Sequence, residues 1–329
     1  MNRFLHLALC LAAVAFASCN TARNLPEPQV AAGATSGEHE VTLNGARQFY
    51  RIAGTARPGV PLVVFLHGGP GQGSQHFDAL AGPYLEPQLR MVYYDQRGSG
   101  KSERPADRNY SLATLVEDVE ALRRALGADK LAVLGHSFGG LLALEYALKY
   151  PEHVSHLIFV SGVWNFPLQC RLRVERLAEL RPEAYARVRG DTLDREGKRR
   201  SDCDLEFLAL RGEERERYNT EAMFPNPHVA LRIDSVNAAR GVRNTGELGR
   251  ALFGAGLLQY QVQSVATLRM PTLIIAGRHD GAVRPAGLRM LADRLPNARF
   301  VEFANSGHFV YLDEPERFAR EVNLFVSSR

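Results

Sequence analysis

The sequence predicts an α/β fold: a mostly parallel sheet flanked by helices, with a helical segment inserted late in the chain. Three observations carry this. Short apolar runs at 61–66, 91–94, 130–134, 154–160, 271–276 and 299–303 alternate with stretches of helical periodicity, the pattern of parallel strands joined by crossover helices. Five runs of unusual composition each follow such a strand: His-Gly-Gly-Pro-Gly at 67–71, Asp-Gln-Arg-Gly-Ser-Gly-Lys-Ser at 95–102, Gly-His-Ser-Phe-Gly-Gly at 135–140, Gly-Arg-His-Asp-Gly at 277–281 and Ser-Gly-His at 306–308. Within these runs a serine, an aspartate and a histidine occur in that order, each just past a strand end, which is the chain order of one known nucleophile–acid–base arrangement.

Taken in order, residues 41–52 read as a hairpin turning at Asn44-Gly45. Leu112, Leu115, Val116, Val119, Leu122 and Leu126 share one face of a helix, with Ser111 as its N-cap and Gly127 ending it. The run 141–150 reads as a helix stopped by Pro151. From about 163 to 266 the pattern changes to Arg/Glu-rich helical stretches, such as 171–188 and 206–218. These predict a helical cap at 164–266 between two core parts, 41–163 and 267–329, lying over the C-terminal edge of the sheet where ligands bind in such folds. The charge runs of the cap read as a solvated outer face. A last helix is expected at 315–325.

The third run is the most informative. Gly-x-Ser-x-Gly recurs by chance, but here a β-rich strand precedes it and a helix follows. So sharp a strand-to-helix turn strains its central residue, Ser137, and needs glycine at 135 and 139, where side chains would collide. The turn also places the Phe138 N–H at a helix N-terminus, which favours negative charge.

A serine hydroxyl needs a positioned base, and the base an orienting acid. Of ten histidines, His308 fits best, in the last loop after a strand and beside Gly307. His67 begins a glycine loop, His136 is expected to point away from the reacting side of the elbow, and His279 adjoins the acid. Asp280 is the candidate acid at the end of the strand before it. Its alternative is an ordinary Asp-Gly turn, and Asp293 and Asp313 are fallbacks that look like helix-flanking surface residues. Glycines at 68–71 let a backbone N–H face a developing oxyanion, and Gly69 is assigned as the partner of Phe138. A phosphate cradle is disfavoured, because no Gly-Lys-Ser/Thr follows within that loop and Gly100-Lys101-Ser102 lacks the upstream glycine at the required spacing.

Together, the runs at 67–71 and 95–102 resemble the proline iminopeptidase branch of the α/β-hydrolases, over about residues 41–163 and 265–329. The resemblance implies an α/β-hydrolase fold, with the first run as oxyanion loop and the second as a structural turn. Two departures are visible. The family's elbow usually reads Gly-Gly-Ser-Trp-Gly, and the acids that hold the substrate's free amine are not recognisable in the cap, where Glu206, Glu213, Glu214 and Glu221 are the available carboxylates. The expected function is therefore a serine hydrolase acting on a small amide or short peptide, prolyl aminopeptidase-like. The alternatives are a carboxylesterase on small acyl esters and, outside enzymes, an inactive hydrolase-fold binding protein, which an intact triad argues against. The chemistry requires no cofactor.

With 45% hydrophobic and 23% charged residues among 329, the chain can bury a large core. A net charge of +4 without a basic, aromatic-lined stripe argues against nucleic acid as a partner. The N-terminus is set apart. One basic residue precedes an apolar stretch at 5–17, too short to span a bilayer, which ends Phe-Ala-Ser-Cys at 16–19. This resembles a bacterial lipoprotein signal at 1–19, with Cys19 the lipidated residue and the only membrane attachment, on a protein exported to the periplasm. Ordinary secretion and an uncleaved anchor are the alternatives. Residues 20–40 read as a flexible tether. Cys170 and Cys203 are then left in the mature body, as a disulfide or as two free buried thiols. They are too far apart, without a matching histidine pair, to hold a metal. Trp164, the only tryptophan, either lines the pocket or anchors the join of core and cap.

Overall fold

A computed structural model describes residues 35–190, 193–242 and 246–327. Its chain order is β1 (Gly37–Leu43), β2 (Ala46–Gly54), β3 (Leu62–Leu66), α1 (Gln75–Leu80), α2 (Gly82–Leu85), β4 (Arg90–Tyr94), α3 (Leu112–Ala125), β5 (Leu131–His136), α4 (Phe138–Lys149) and β6 (Val154–Val160). There the chain leaves the sheet for α5 (Phe166–Leu180), α6 (Pro182–Ala186), α7 (Asp202–Ala209), α8 (Gly212–Met223), α9 (Pro227–Ala239) and α10 (Glu247–Gly254). It returns through β7 (Thr272–Gly277), α11 (Pro285–Ala292), β8 (Ala298–Phe303), α12 (Val310–Asp313) and α13 (Pro315–Ser327).

The eight strands form one sheet in the order β1-β2-β4-β3-β5-β6-β7-β8. The β1–β2 and β2–β4 pairs are antiparallel; β4, β3, β5, β6, β7 and β8 are mutually parallel. Alternate side chains enter opposite cores, as the two-residue period of a strand requires. Val64 and Leu66 join the cluster under α3, α4 and α11, while Val63 and Phe65 join the one under α1, α2 and α13. Burial on both faces explains why the central strands read as continuous apolar runs.

Local expectations hold at most positions. Leu43 pairs with Ala46 across Asn44 and Gly45, whose φ values of 44° and 82° are those the tight hairpin turn demands. The Ser111 side chain accepts the Thr114 N–H, and Gly127 has φ 63°. Three expectations need correction. The tether cannot extend to residue 40, because β1 starts at Gly37: this exposed edge strand is held by His39 stacking on Tyr50 and Glu38 pairing with Lys101, so polar composition disguised it. The expected helix 171–188 is two helices, broken before Pro182, which cannot continue a helical hydrogen-bond ladder. The expected helix 206–218 is likewise split into α7 and α8 ahead of Gly212, which takes φ 51°.

Helices α5–α10 cover the C-terminal ends of the strands. The Ala222 carbonyl accepts the Gly281 N–H, the Met223 carbonyl accepts the His308 N–H, and Arg240 beside the end of α9 pairs with Asp78 of α1. The cap has a small core of its own around Leu177, Ala184, Leu210 and Tyr218. Among the described residues no helix is long and apolar enough to cross a membrane.

Candidate active site

Ser137 sits between β5 and α4 with φ 55° and ψ −121°, a strained geometry for a residue with a side chain. Its N–H donates to the Val160 carbonyl, while its own carbonyl accepts the Gly140 and Val163 N–H groups at 3.0 Å each. A Cβ at Gly135 would overlap the Gly139 carbonyl, and one at Gly139 would overlap the Leu66 carbonyl. The two glycines are therefore required for the reason the sequence suggests. Phe138 is the first residue of α4, so its N–H belongs to the unused donors of a helix start.

The glycine loop after β3 runs directly alongside. A Cβ on Gly68 would come 2.8 Å from that of Ser137, and Gly69 has φ 116° before a cis bond to Pro70. His67 holds the loop's base: its Nδ1 bonds the Gly68 carbonyl at 2.9 Å and its Nε2 accepts the Gln96 N–H at 3.1 Å. The run at 95–102 pins the loop's far end. The buried Asp95 carboxylate accepts the Ser74 N–H (2.7 Å), the Ser74 hydroxyl (2.8 Å), the Gln75 amide (2.5 Å) and the Lys101 N–H (2.8 Å). Two residues on, the buried Arg97 forms a two-point ion pair with Asp118 of α3, whose other partner is the turn residue Asn44. One motif thus ties the glycine loop, a core helix and the hairpin together.

Asp280 and His308, after β7 and β8, meet at 2.8 Å between Oδ2 and Nδ1. The other oxygen, Oδ1, accepts the Ala282 and Val283 N–H groups at 2.9 and 2.8 Å, which fixes the carboxylate's rotation. Asp280 is fully buried and His308 nearly so. With Nδ1 committed to Asp280, Nε2 is the nitrogen on the other side of the ring. The fallback acids have different surroundings: Asp293 is exposed at the end of α11, whereas Asp313 is half-buried and accepts the Gly307 N–H at 2.8 Å, bracing the His308 loop.

The expectation for His136 needs correction. Its ring lies 4.7 Å from that of His308, and its Nε2 bonds the His308 carbonyl at 3.0 Å. Since a carbonyl only accepts, His136 carries its proton on Nε2. Burial holds its pKa well below 6.5, and the same desolvation lowers His67 and brings His76 to about 3, so all three are neutral. The elbow thus reaches His308 through His136, the residue next to Ser137.

Trp164 occupies the join of core and cap: its indole N–H donates to the Gly287 carbonyl at 2.8 Å, Arg294 stacks over its ring, and 5% of it is exposed. That is an anchor's environment. Cys170 and Cys203 are disulfide-bonded, joining α5 to α7. Glu206, Glu214 and Glu221 pair with Arg173, Arg187 and Arg181 of the cap, and Glu213 is exposed. Cys19, the leader at 1–19 and the tether up to residue 34 lie outside the described residues.

Asp95, Arg97 and His136 were visible in the sequence as motif residues, but their partners were not. The partner of His136 is 172 positions away, beyond the reach of any local pattern.

A family profile described as alpha/beta hydrolase fold matches residues 61–315. The chain is 43% identical over 291 residues to the proline iminopeptidase PfmaB of Pestalotiopsis fici, covering 86% of this chain and 96% of that one. It is 28% identical over 293 residues to a proline iminopeptidase of Saccharolobus solfataricus, covering 86% and 89%. Among solved structures, a proline iminopeptidase-related protein from Thermus thermophilus superposes with a TM-score of 0.71 at 28% identity, over 89% of this chain and 98% of that one.

Proposed function

The chain belongs to the α/β-hydrolase fold family, and from that premise we propose a serine hydrolase that releases N-terminal proline or a small apolar residue from short peptides through an acyl-enzyme. The observation that carries the mechanism is the buried Asp280–His308 bond beside a strained serine elbow. Ser137 Oγ attacks the substrate carbonyl as His308 Nε2 takes its proton. The negative charge that develops on the carbonyl oxygen is held by the N–H groups of Gly69 and Phe138. Collapse of this intermediate expels the amine, which receives the proton from His308, and water then repeats the sequence to free Ser137. Asp280 holds the imidazole in the Nδ1–H tautomer and stabilises its charged form. The iminopeptidase names of the relatives support the substrate class.

One observation favours a second reading, a carboxylesterase on small acyl esters. Three of the four cap acids considered for holding a free amine are engaged by arginines, and the fourth faces solvent. We also propose export and attachment through lipidated Cys19, a compartment with which the Cys170–Cys203 disulfide is consistent.

Purified protein lacking residues 1–19 tests both readings. A fluorophosphonate probe should label Ser137, and Ser137→Ala should lose labelling and turnover together; a Ser137→Ala variant as active as wild type ends the serine mechanism. Proline p-nitroanilide cleaved faster than its N-acetylated form supports the aminopeptidase, and a butyrate ester turned over faster than either supports the esterase.

A further inference from the structure

Four consecutive cap residues grip both halves of the acid–base pair. The Ala222 carbonyl accepts the N–H of Gly281, the residue after Asp280, at 2.7 Å, and the next carbonyl, of Met223, accepts the N–H of His308 itself at 3.0 Å. Phe224 then lies flat on Phe309, with ring centroids 4.9 Å apart and planes 6° from parallel. The Pro225 ring fills the space over Gly307, where a Cβ would overlap its Cδ. Behind Gly281 stands Arg176 of α5, 9% exposed and 4.8 Å over the Tyr218 ring, so close that a Cβ on Gly281 would come 2.8 Å from its guanidinium carbon.

The sheet leaves this task to the loops. The β7–β8 ladder ends at Gly277 and Phe303. Past it the two loops share a backbone hydrogen bond from the His279 N–H to the Ser306 carbonyl, 3.0 Å long. Asp280 and His308 lie beyond that point, where the cap supplies the next two backbone bonds.

We propose that residues 222–225 are a positioning strap: they hold the Asp280 turn and the His308 loop in register, so the contacts of these four residues with the two loops set the rate of the chemical step. The proposal rests on Asp280 and His308 being the acid and base. Its mechanism is geometric. Proton transfer tolerates only small displacements of the imidazole, and a shift near 1 Å is enough to cost about a hundredfold in rate. The strap's two hydrogen bonds come from main-chain carbonyls, so its side-chain contacts, Phe224 on Phe309 and Pro225 on Gly307, are the parts that substitution can reach.

The test compares Phe224→Ala and Gly307→Ala with Leu177→Ala, a truncation in the cap's own core. Two readouts are taken: kcat and KM on the fastest substrate of the panel above, and the low-field proton resonance of His308 Nδ1, which reports the bond to Asp280 without turnover. Phe224→Ala and Gly307→Ala should lower kcat about tenfold or more with KM within about threefold, and should shift or broaden the Nδ1 proton. Leu177→Ala should destabilise the cap and change neither. Adding Pro225→Ala to Gly307→Ala should restore part of the loss. Phe224→Leu replaces Phe224→Ala if the latter does not fold. Wild-type kcat and an unaltered Nδ1 resonance in the folded Phe224 variant overturn the strap, as does an equal kcat loss in Leu177→Ala. A wild type that turns over nothing counts against the hydrolase reading, while the resonance still decides the strap.

Discussion

Asp280→Asn should leave the fold in place and remove most of the turnover. Asp280 Oδ1 accepts two backbone N–H groups, from Ala282 and Val283, and Oδ2 accepts one from the His308 ring. An asparagine here must choose which of its ends faces the backbone. Turning its NH2 toward the two backbone donors strands both, at about 1–3 kcal/mol each, so the amide oxygen stays there by roughly 2–6 kcal/mol. The NH2 then faces His308 Nδ1 and can only donate to it. The imidazole moves its proton to Nε2 and cannot take one from Ser137. At about 1.4 kcal/mol per decade the competent tautomer becomes roughly one in 30 to one in 10⁴. Loss of the carboxylate's charge beside the imidazolium comes on top, so kcat should fall by about 10³–10⁴ with KM little changed. Stopped assays on chromogenic substrates measure the loss, and the His308 Nδ1 proton resonance should vanish. A kcat within tenfold of wild type would refute the tautomer argument.

Three further outcomes follow from other parts of the molecule. His67, His76 and His136 are neutral in the folded state but take up protons below about pH 6.5 once unfolded, so their contribution is intact above that pH and declines as the pH falls. For His76, whose pKa lies at about 3, the loss is on the order of 1.4 kcal/mol per pH unit down to about pH 3; thermal melts between pH 7 and 5 should show it, and His76→Gln should remove about one proton from the uptake on unfolding. Replacing Cys170 and Cys203 with serine opens a link between positions 33 apart and should destabilise by about 3–4 kcal/mol; identical melts with and without reductant would disprove it. Cys19→Ala should move the full-length protein out of the membrane fraction, and a native N-terminus found unmodified at another residue would overturn the anchor.

How much could be read in advance depended on the range of the interaction. The strands are legible because each is a buried run between turn residues: the apolar run 154–160 coincides with β6, and 299–303 lacks only Ala298 of β8. The elbow was legible because its steric demand falls on glycines within two positions of Ser137. The exposed strand at Gly37–Glu40 was hidden because its stability comes from partners on β2 and at Lys101, and not from apolar content. Pro182 and Gly212 were in plain view, yet strong helical composition on either side masked the breaks they cause. The grip on His308 had no signature at all, for a backbone carbonyl such as that of Met223 looks the same in every sequence.

The late return of the chain to its sheet also bears on biosynthesis. Ser137, the glycine loop at 67–71 and strands β1–β6 are synthesised before the cap, whereas Asp280 and His308 follow it. A nascent chain folding from its N-terminus would therefore build the turn at Ser137 well before it contained His308. Only when β7 and β8 add to the free edge of β6 do Asp280 and His308 arrive beside it. The proposed triad is thus completed only after the cap has been made, and a chain stalled within the cap would carry Ser137 without Asp280 or His308.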